Sequence, residues 1–139
     1  MKTILIALAL VSSLYSFDQN HLQKFLDTKD CPNCDLSGAD LSNKDLSGAN
    51  LRSSNLTDVN FENSTLVKAN LWGANLKNAN MNNTNARASN FTAAELINIK
   101  CDNTTFKGVN FANANFEQVS CKDVSIWSAN FLETTFENV

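Results

Sequence analysis

The sequence predicts an all-β fold in which the chain winds through a long series of equivalent short steps. Every fifth residue between Leu36 and Phe136 is apolar, and none of these 21 positions is charged or strongly polar. The residue two places before each apolar position is usually small, and the residue directly before it is mostly Asp or Asn. A period of five fits neither an amphipathic helix, which repeats about every 3.6 residues, nor a half-buried strand, which repeats every two. The pattern therefore indicates a coil of repeated pentads.

Each pentad carries the side chains that such a coil needs. A large and a small side chain in each step, as in Ala39-Asp40-Leu41, can both point inward and fill a narrow interior. The Asp or Asn between them suits a corner of the chain, where a short polar side chain can bond its own backbone. We therefore expect a core of apolar ladders in which the backbone of each turn of the coil bonds to its neighbours.

The consensus A-(D/N)-L-x-x is written out by Gly38-Ala39-Asp40-Leu41-Ser42 and Gly48-Ala49-Asn50-Leu51. It resembles the repeat of the pentapeptide-repeat family, over about three quarters of the chain and without an insertion. The resemblance implies a right-handed quadrilateral (four-sided) parallel β-helix, with one pentad per side and four pentads per coil. Each residue would then stack on the one twenty positions on, and residues 31–139 would make about five coils spaced about 4.8 Å apart.

Residues 1–16 read as a secretory signal peptide. Lys2 supplies a short positive region, an apolar run follows it, and the small residues from Ser12 to Ser16 offer cleavage after Ser16 or Ser13. The apolar run is too short to span a bilayer permanently. We therefore expect an exported bacterial protein, periplasmic or secreted, whose mature chain has no integral membrane segment.

Residues 17–30 are expected to form a short helix that caps the first coil. Leu22, Phe25 and Leu26 fall at i, i+3 and i+4 and form one apolar stripe. An open first coil would expose its apolar interior and its backbone edge, so this helix is expected to lie over it. His21, the only histidine, is expected at the surface.

The four cysteines fall into two pairs. Cys31 and Cys34 form a C-x-x-C, but no βαβ pattern surrounds it, so a structural disulfide in an exported protein is favoured over a redox site. Cys101 and Cys121 are twenty residues apart and would stack in adjacent coils. The spacing leaves open whether they form a disulfide or remain as two buried thiols.

Composition argues against several function classes. The 139-residue chain has a formal net charge of −3, with charges scattered along the sequence, so no basic stripe for nucleic acid is expected. One histidine allows no Ser/His/Asp or Cys/His pairing, and a packed β-helix offers no cleft, so neither enzyme activity nor a cofactor is expected. The corner carboxylates would lie on different sides, and the glycine pattern of calcium-binding β-rolls is absent, so no metal site is expected.

Two surfaces remain as candidate sites. Folding the pentads four to a coil places cations, tryptophans and small or apolar residues on two adjacent sides, where a cation could lie over the Trp127 ring. The candidate binding face for an unidentified protein partner comprises Arg52, Trp72, Thr92, Leu132, Arg87, Lys107 and Trp127. At the C-terminal end, no helix or charge run follows the last pentad to cover the final coil. The candidate dimer end there comprises Phe116, Ile126, Phe131, Phe136 and Val139.

A homodimer through that end is implied by the resemblance, since family members dimerise through the C-terminal coil; alternatively the phenylalanines plug the end of a monomer. The sequence thus predicts a non-catalytic exported pentapeptide-repeat protein with a structural or protein-binding role. The resemblance also offers an alternative, a DNA mimic that inhibits a topoisomerase or another DNA-binding protein. Such mimicry needs a dense acidic surface and a cytoplasmic location, and the sequence predicts neither.

Overall fold

The computed structural model describes residues 17–139, so the expected signal peptide lies outside the described residues. One helix, α1 (Gln19–Thr28), precedes the coil. Three short strands, β1 (Glu95–Ile97), β2 (Asn115–Glu117) and β3 (Thr135–Glu137), pair in parallel in the order β1-β2-β3. The remaining coil pairs through fifteen single-residue parallel bridges, and every bridge joins residues twenty apart. A constant offset of twenty residues means four pentads per coil.

Each pentad turns the chain at the two residues that follow its apolar position. In a representative step, the Ala49 N–H donates to the Leu46 carbonyl (3.1 Å), and the intervening Gly48 has a φ of 70°. A four-residue turn closed in this way, with a positive φ at its third residue, has the features of a type II turn. Asn or Gly fills most of these third positions, because both adopt a positive φ readily.

As the sequence predicted, most Asp and Asn side chains before an apolar residue accept a hydrogen bond from the backbone N–H two residues further on. The Asp45 Oδ1, for example, accepts the Ser47 N–H at 3.0 Å, and thirteen such bonds recur along the coil. The same residues carry the bridges between coils. Each pentad is therefore fixed locally by its polar side chain and axially by its backbone.

The core consists of columns of apolar residues stacked between coils. Leu51, Leu71 and Phe91 follow one another in one column, and none of their surface is exposed. Small polar residues also point inward, and their hydroxyls donate to backbone carbonyls. Thr84 Oγ1 donates to the Phe61 carbonyl of the preceding coil (2.9 Å), whereas Ser64 Oγ donates to the same carbonyl within its own turn. No buried side-chain nitrogen or oxygen within residues 17–139 lacks a partner, so these hydroxyls do not carry the cost of unpaired burial.

Helix α1 lies against the first coil. Phe25 is fully buried, and the Asp18 N–H donates to the Asp35 carbonyl (3.2 Å). His21 Nδ1 accepts the Asp35 N–H at 3.0 Å. His21 lies at the surface as expected, with 39% of its side chain exposed, and its ring also joins the helix to the coil. In the described part of the chain, no helix is both long and apolar enough to cross a membrane.

Candidate functional site

Exposed apolar side chains concentrate at the C-terminal end of the coil. Among residues 17–139, seven large hydrophobic side chains are exposed, and five of them lie between residues 126 and 139. These five are Ile126 (52%), Trp127 (69%), Leu132 (63%), Phe136 (53%) and Val139 (64%). Of these five, Ile126, Phe136 and Val139 line one concavity, and exposed apolar patches of this kind often mark binding sites. This end is therefore the first candidate for a binding site.

The candidate dimer end forms the wall and floor of a concavity of about 300 Å³. Phe116 is buried, with 6% of its surface exposed, and lies at the floor, whereas Phe136 stands at the rim. The two rings stack with centroids 5.2 Å apart, and Phe131 stacks on Phe111 in the same manner at 5.3 Å. We call the five predicted residues Phe116, Ile126, Phe131, Phe136 and Val139 the C-terminal apolar end.

An unpaired strand edge lies beside this apolar end. Strand β3 pairs with β2 on one side, and no described residue pairs with its other side. All three residues of β3 are exposed. A row of free backbone donors and acceptors next to apolar side chains favours association with another chain.

A disulfide joins the final coil to the coil beneath it. Cys101 and Cys121 are bonded with their Cα atoms 5.2 Å apart, and Cys121 lines the concavity. The bridge that the twenty-residue register would place between Lys100 and Ser120 is missing, although both residues are described. The covalent bond therefore lies beside a gap in the backbone ladder. Cys31 and Cys34 form the second disulfide, with Cα atoms 5.5 Å apart.

The candidate binding face is divided into two cation–indole pairs. The Arg52 Cζ lies 5.3 Å from the centroid of the Trp72 ring, and the Lys107 Nζ lies 4.5 Å from that of Trp127. The second pair agrees with the expectation of a cation over Trp127.

The other predicted members do not join these pairs into one apolar surface. Thr92 is half-buried and its hydroxyl donates to its own neighbour Asn90 (2.6 Å), while Ala112 in the same column is buried. Arg87 is exposed on the adjacent side, and Leu132 lies in the last coil near the C-terminal apolar end. Sequence periodicity could not show this division, because it assigns columns without side-chain packing.

The described residues offer no metal centre. No group of three or more His, Cys, Asp or Glu side chains within residues 17–139 could hold an ion.

Comparison with known proteins identifies the family. The family model for pentapeptide repeats matches at residues 30–66, 54–92 and 89–120, with eight copies, and so covers more than half of the chain. The chain belongs to the pentapeptide-repeat family. The resemblance predicted from the consensus is confirmed, and the family's solved structures imply a right-handed four-sided β-helix for this member.

Solved structures resemble this chain at low sequence identity, and the first of the three described next shares its fold. Rfr23 from the cyanobacterium Cyanothece 51142 is 19% identical, with a TM-score of 0.68, over 84% of this chain and 97% of its own. A pentapeptide-repeat protein of the Arabidopsis thaliana thylakoid lumen is 24% identical, with a TM-score of 0.49, over 76% of this chain and 68% of its own. The plasmid-mediated fluoroquinolone resistance protein QnrB1 is 20% identical, with a TM-score of 0.28, over 79% and 76% of the two chains. A search of curated sequences found no significant match.

Proposed function

We propose that this family member is a non-catalytic, exported protein with a structural or protein-binding role, and that it binds through its C-terminal apolar end. The observation that carries the proposal is the gathering of exposed apolar side chains in residues 126–139 beside the free edge of β3. Burial of that surface and pairing of that edge would both stabilise a complex.

A second copy of the chain is the partner that fits this end most simply. Two identical ends related by a two-fold axis would each bury the same patch, so one surface supplies both halves of the interface. In this arrangement α1 caps the other end of the rod, at the first of about five coils. The homodimer then buries the edge of the coil that α1 does not cover.

Export is supported by the cysteines. Both pairs are disulfide-bonded, and stable disulfides form in oxidising compartments such as the periplasm. The expected signal at residues 1–16 would deliver the chain there. Cell fractionation with N-terminal sequencing tests this: we expect a mature chain beginning at Phe17 or Leu14 and no free thiols. Intact Met1 in the cytoplasm, with four reactive thiols, would contradict export.

Protein binding can be tested with matched baits incubated in the exported fraction. Phe136→Glu places a carboxylate in the C-terminal apolar end, whereas Thr57→Glu adds the same charge on the same side of the rod several coils away. Capture of a copy of the chain or of another protein by the wild-type and Thr57→Glu baits, but not by Phe136→Glu, supports the proposal. Equal capture by all three baits would refute it.

The DNA-mimic alternative gains no support from the charge distribution. Mimicry of a duplex needs closely spaced negative charge along the rod. On one side, the outward positions instead carry Lys68, Arg87 and Lys107, and the corner residue Asp45 in the first coil is the acidic residue of that side.

A further inference from the structure

One side of the rod carries cations at its outward positions and no acidic residue there; its one corner carboxylate, Asp45, lies in the first coil. We call it the cationic side; it is the side whose inward residues are Leu46, Leu66, Ala86, Phe106 and Ile126. Its ten outward positions are Ser47, Gly48, Val67, Lys68, Arg87, Ala88, Lys107, Gly108, Trp127 and Ser128. None of them is acidic, although the whole chain has 14 acidic residues against 11 basic ones. Folding therefore places basic residues that are scattered in the sequence on one side of the rod.

The cations on this side are free to bind. No Lys or Arg side chain among residues 17–139 lies within 4 Å of a carboxylate oxygen, so Lys68, Arg87 and Lys107 form no salt bridge. Lys68 and Arg87 are exposed, and no side-chain hydrogen bond engages the guanidinium of Arg87. Lys68 and Arg87 can bind an anion without breaking an existing ion pair, whereas Lys107 also lies over the Trp127 ring (4.5 Å).

Indole rings accompany the cations. Trp127 lies on the cationic side with 69% of its surface exposed, and Trp72, which is 41% exposed, lies on the adjacent side over Arg52. An exposed indole offers a flat apolar face next to a charge. Such a pairing suits a ligand that is itself part apolar ring and part anion.

We propose that the cationic side binds an anionic polysaccharide, a chain of sugar rings that carry carboxylate or sulfate groups. The C–H faces of the sugars would pack on the indoles, and their anions would pair with Lys68, Arg87 and Lys107. Lys68 and Arg87 are nineteen residues apart, and Arg87 and Lys107 are twenty apart. Successive cations therefore lie about one coil apart, which is roughly 4.8 Å along the rod. An exported protein would meet such polymers outside the cytoplasm.

An acidic polypeptide fits the same side less well. In an extended peptide, side chains on the same face are about 6.7 Å apart, which is twice the rise per residue. The cations on this side are instead about 4.8 Å apart, one per coil, so the two spacings do not match. The backbone along this side is already paired between coils, as in Gly48 N–H to Val67 C=O (2.8 Å) and Lys68 N–H to Arg87 C=O (2.9 Å). A peptide therefore cannot add here as a strand. Duplex DNA carries a far denser charge than these few cations could neutralise.

The test measures binding of the purified, disulfide-bonded protein to alginate, an anionic polysaccharide, with neutral dextran, poly-glutamate and duplex DNA as comparison probes. We expect alginate to bind most tightly, with an affinity that falls as salt is added. The Arg87→Gln/Lys107→Gln variant should bind about tenfold more weakly. The control Lys77→Gln/Lys122→Gln removes the same charge from other sides and should change affinity by less than about twofold.

Trp72→Ala separates stacking from charge, because it leaves the net charge unchanged. It should weaken alginate binding several-fold. Three results would overturn the proposal: alginate bound no better than dextran, an equal loss in the control double variant, or tighter binding of poly-glutamate or DNA. The proposal goes beyond the protein-binding role, and its variants at Arg87, Lys107 and Trp72 lie outside the C-terminal apolar end, so failure here leaves that end and the export experiment untouched.

Discussion

At the residue scale, the third position of each turn shapes the chain as strongly as the apolar position does. Its φ is positive throughout the coil, and Asn or Gly occupies most copies. Some copies carry residues that adopt this conformation at a cost of about 1–2 kcal/mol, among them Lys68, Ala88, Ala93 and Gln118. The stability of the rod can therefore be altered at its surface without a change in the core.

A reciprocal pair of substitutions in one column tests this. Ala88 has a φ of 56° and Gly108, one coil on, has a φ of 68°. Ala88→Asn should raise the free energy of unfolding by about 0.5–1 kcal/mol, and Gly108→Ala should lower it by a similar amount. No atom lies within 4 Å of a Cβ added at Gly108, so a loss there reports the backbone alone. Urea denaturation measures both variants. A loss of stability in Ala88→Asn, or a gain in Gly108→Ala, would refute this account of the third position.

Aspartate replaces asparagine at the corners of the first coil, and this gives stability a pH dependence. The hydroxyl and backbone N–H of Ser42 both donate to Asp40 and lower the pKa of its carboxyl below the ordinary value; Ser47 does the same for Asp45. Because these carboxyls have a lower pKa in the folded state than in the unfolded state, they stabilise the fold at pH values above the unfolded-state pKa. This stabilisation is lost as the pH falls through the folded-state pKa. We expect the melting temperature to fall with pH below about pH 4.

The Asp40→Asn/Asp45→Asn variant should show a smaller fall over the same range, because both titrating groups are gone. Asn occupies the equivalent corner at Asn60 and makes the same bond to its backbone, so the fold should be kept. Calorimetry from about pH 6 to pH 2 measures the difference. If the melting temperature of the variant falls with pH as steeply as that of the wild type, these two carboxyls do not contribute to the pH dependence of stability.

At the element scale, α1 depends on one buried aromatic residue. Phe25 is fully buried, whereas its neighbour Leu26 is 43% exposed. Phe25→Ala should cost about 3–5 kcal/mol, because it removes a ring from the packed end of the coil. Leu26→Ala is the matched control and should cost well under about 1 kcal/mol. Thermal unfolding of the two variants checks this; similar losses would mean that α1 does not pack on the coil through Phe25.

The two disulfides should differ in what they contribute. Cys101–Cys121 closes a loop of twenty residues, and its loss through Cys→Ala at both positions should cost about 3 kcal/mol on the chain-entropy account. Cys31–Cys34 closes a loop of three residues, and the same account gives about 2 kcal/mol or less. Denaturation of the two double variants compares them. A larger loss at Cys31–Cys34 would contradict this ranking.

At the scale of the whole molecule, periodicity predicted the parts of the structure that repeat. Stacking of Leu51, Leu71 and Phe91, the self-bonded corners and a helix against the first coil all follow from pentad spacing and an apolar stripe. Features set by one local contact were not accessible in this way. The bond from Asp35 N–H to His21 Nδ1 depends on how α1 lies on the coil, and the Cys101–Cys121 pairing depends on side-chain direction.

The candidate sites show the same contrast. The C-terminal apolar end could be predicted because no residue twenty positions on, within residues 17–139, is available to stack on the final member of each column. Burial of Phe116 at its floor, and the division of the predicted binding face by Ala112 and Thr92, result from packing between columns. The sorting of Lys68, Arg87 and Lys107 onto one side appears only when the coil is folded.

Self-association through the C-terminal apolar end is the central claim, and sedimentation equilibrium tests it most directly. The purified protein with both disulfides formed is measured over a wide concentration range, beside Phe136→Glu and Thr57→Glu. We predict a dimer for the wild type and for Thr57→Glu, and a monomer for Phe136→Glu, because a carboxylate buried in the apolar interface would have no partner. A wild-type protein that stays monomeric at the highest concentration, or a Phe136→Glu protein that still dimerises, would contradict the claim.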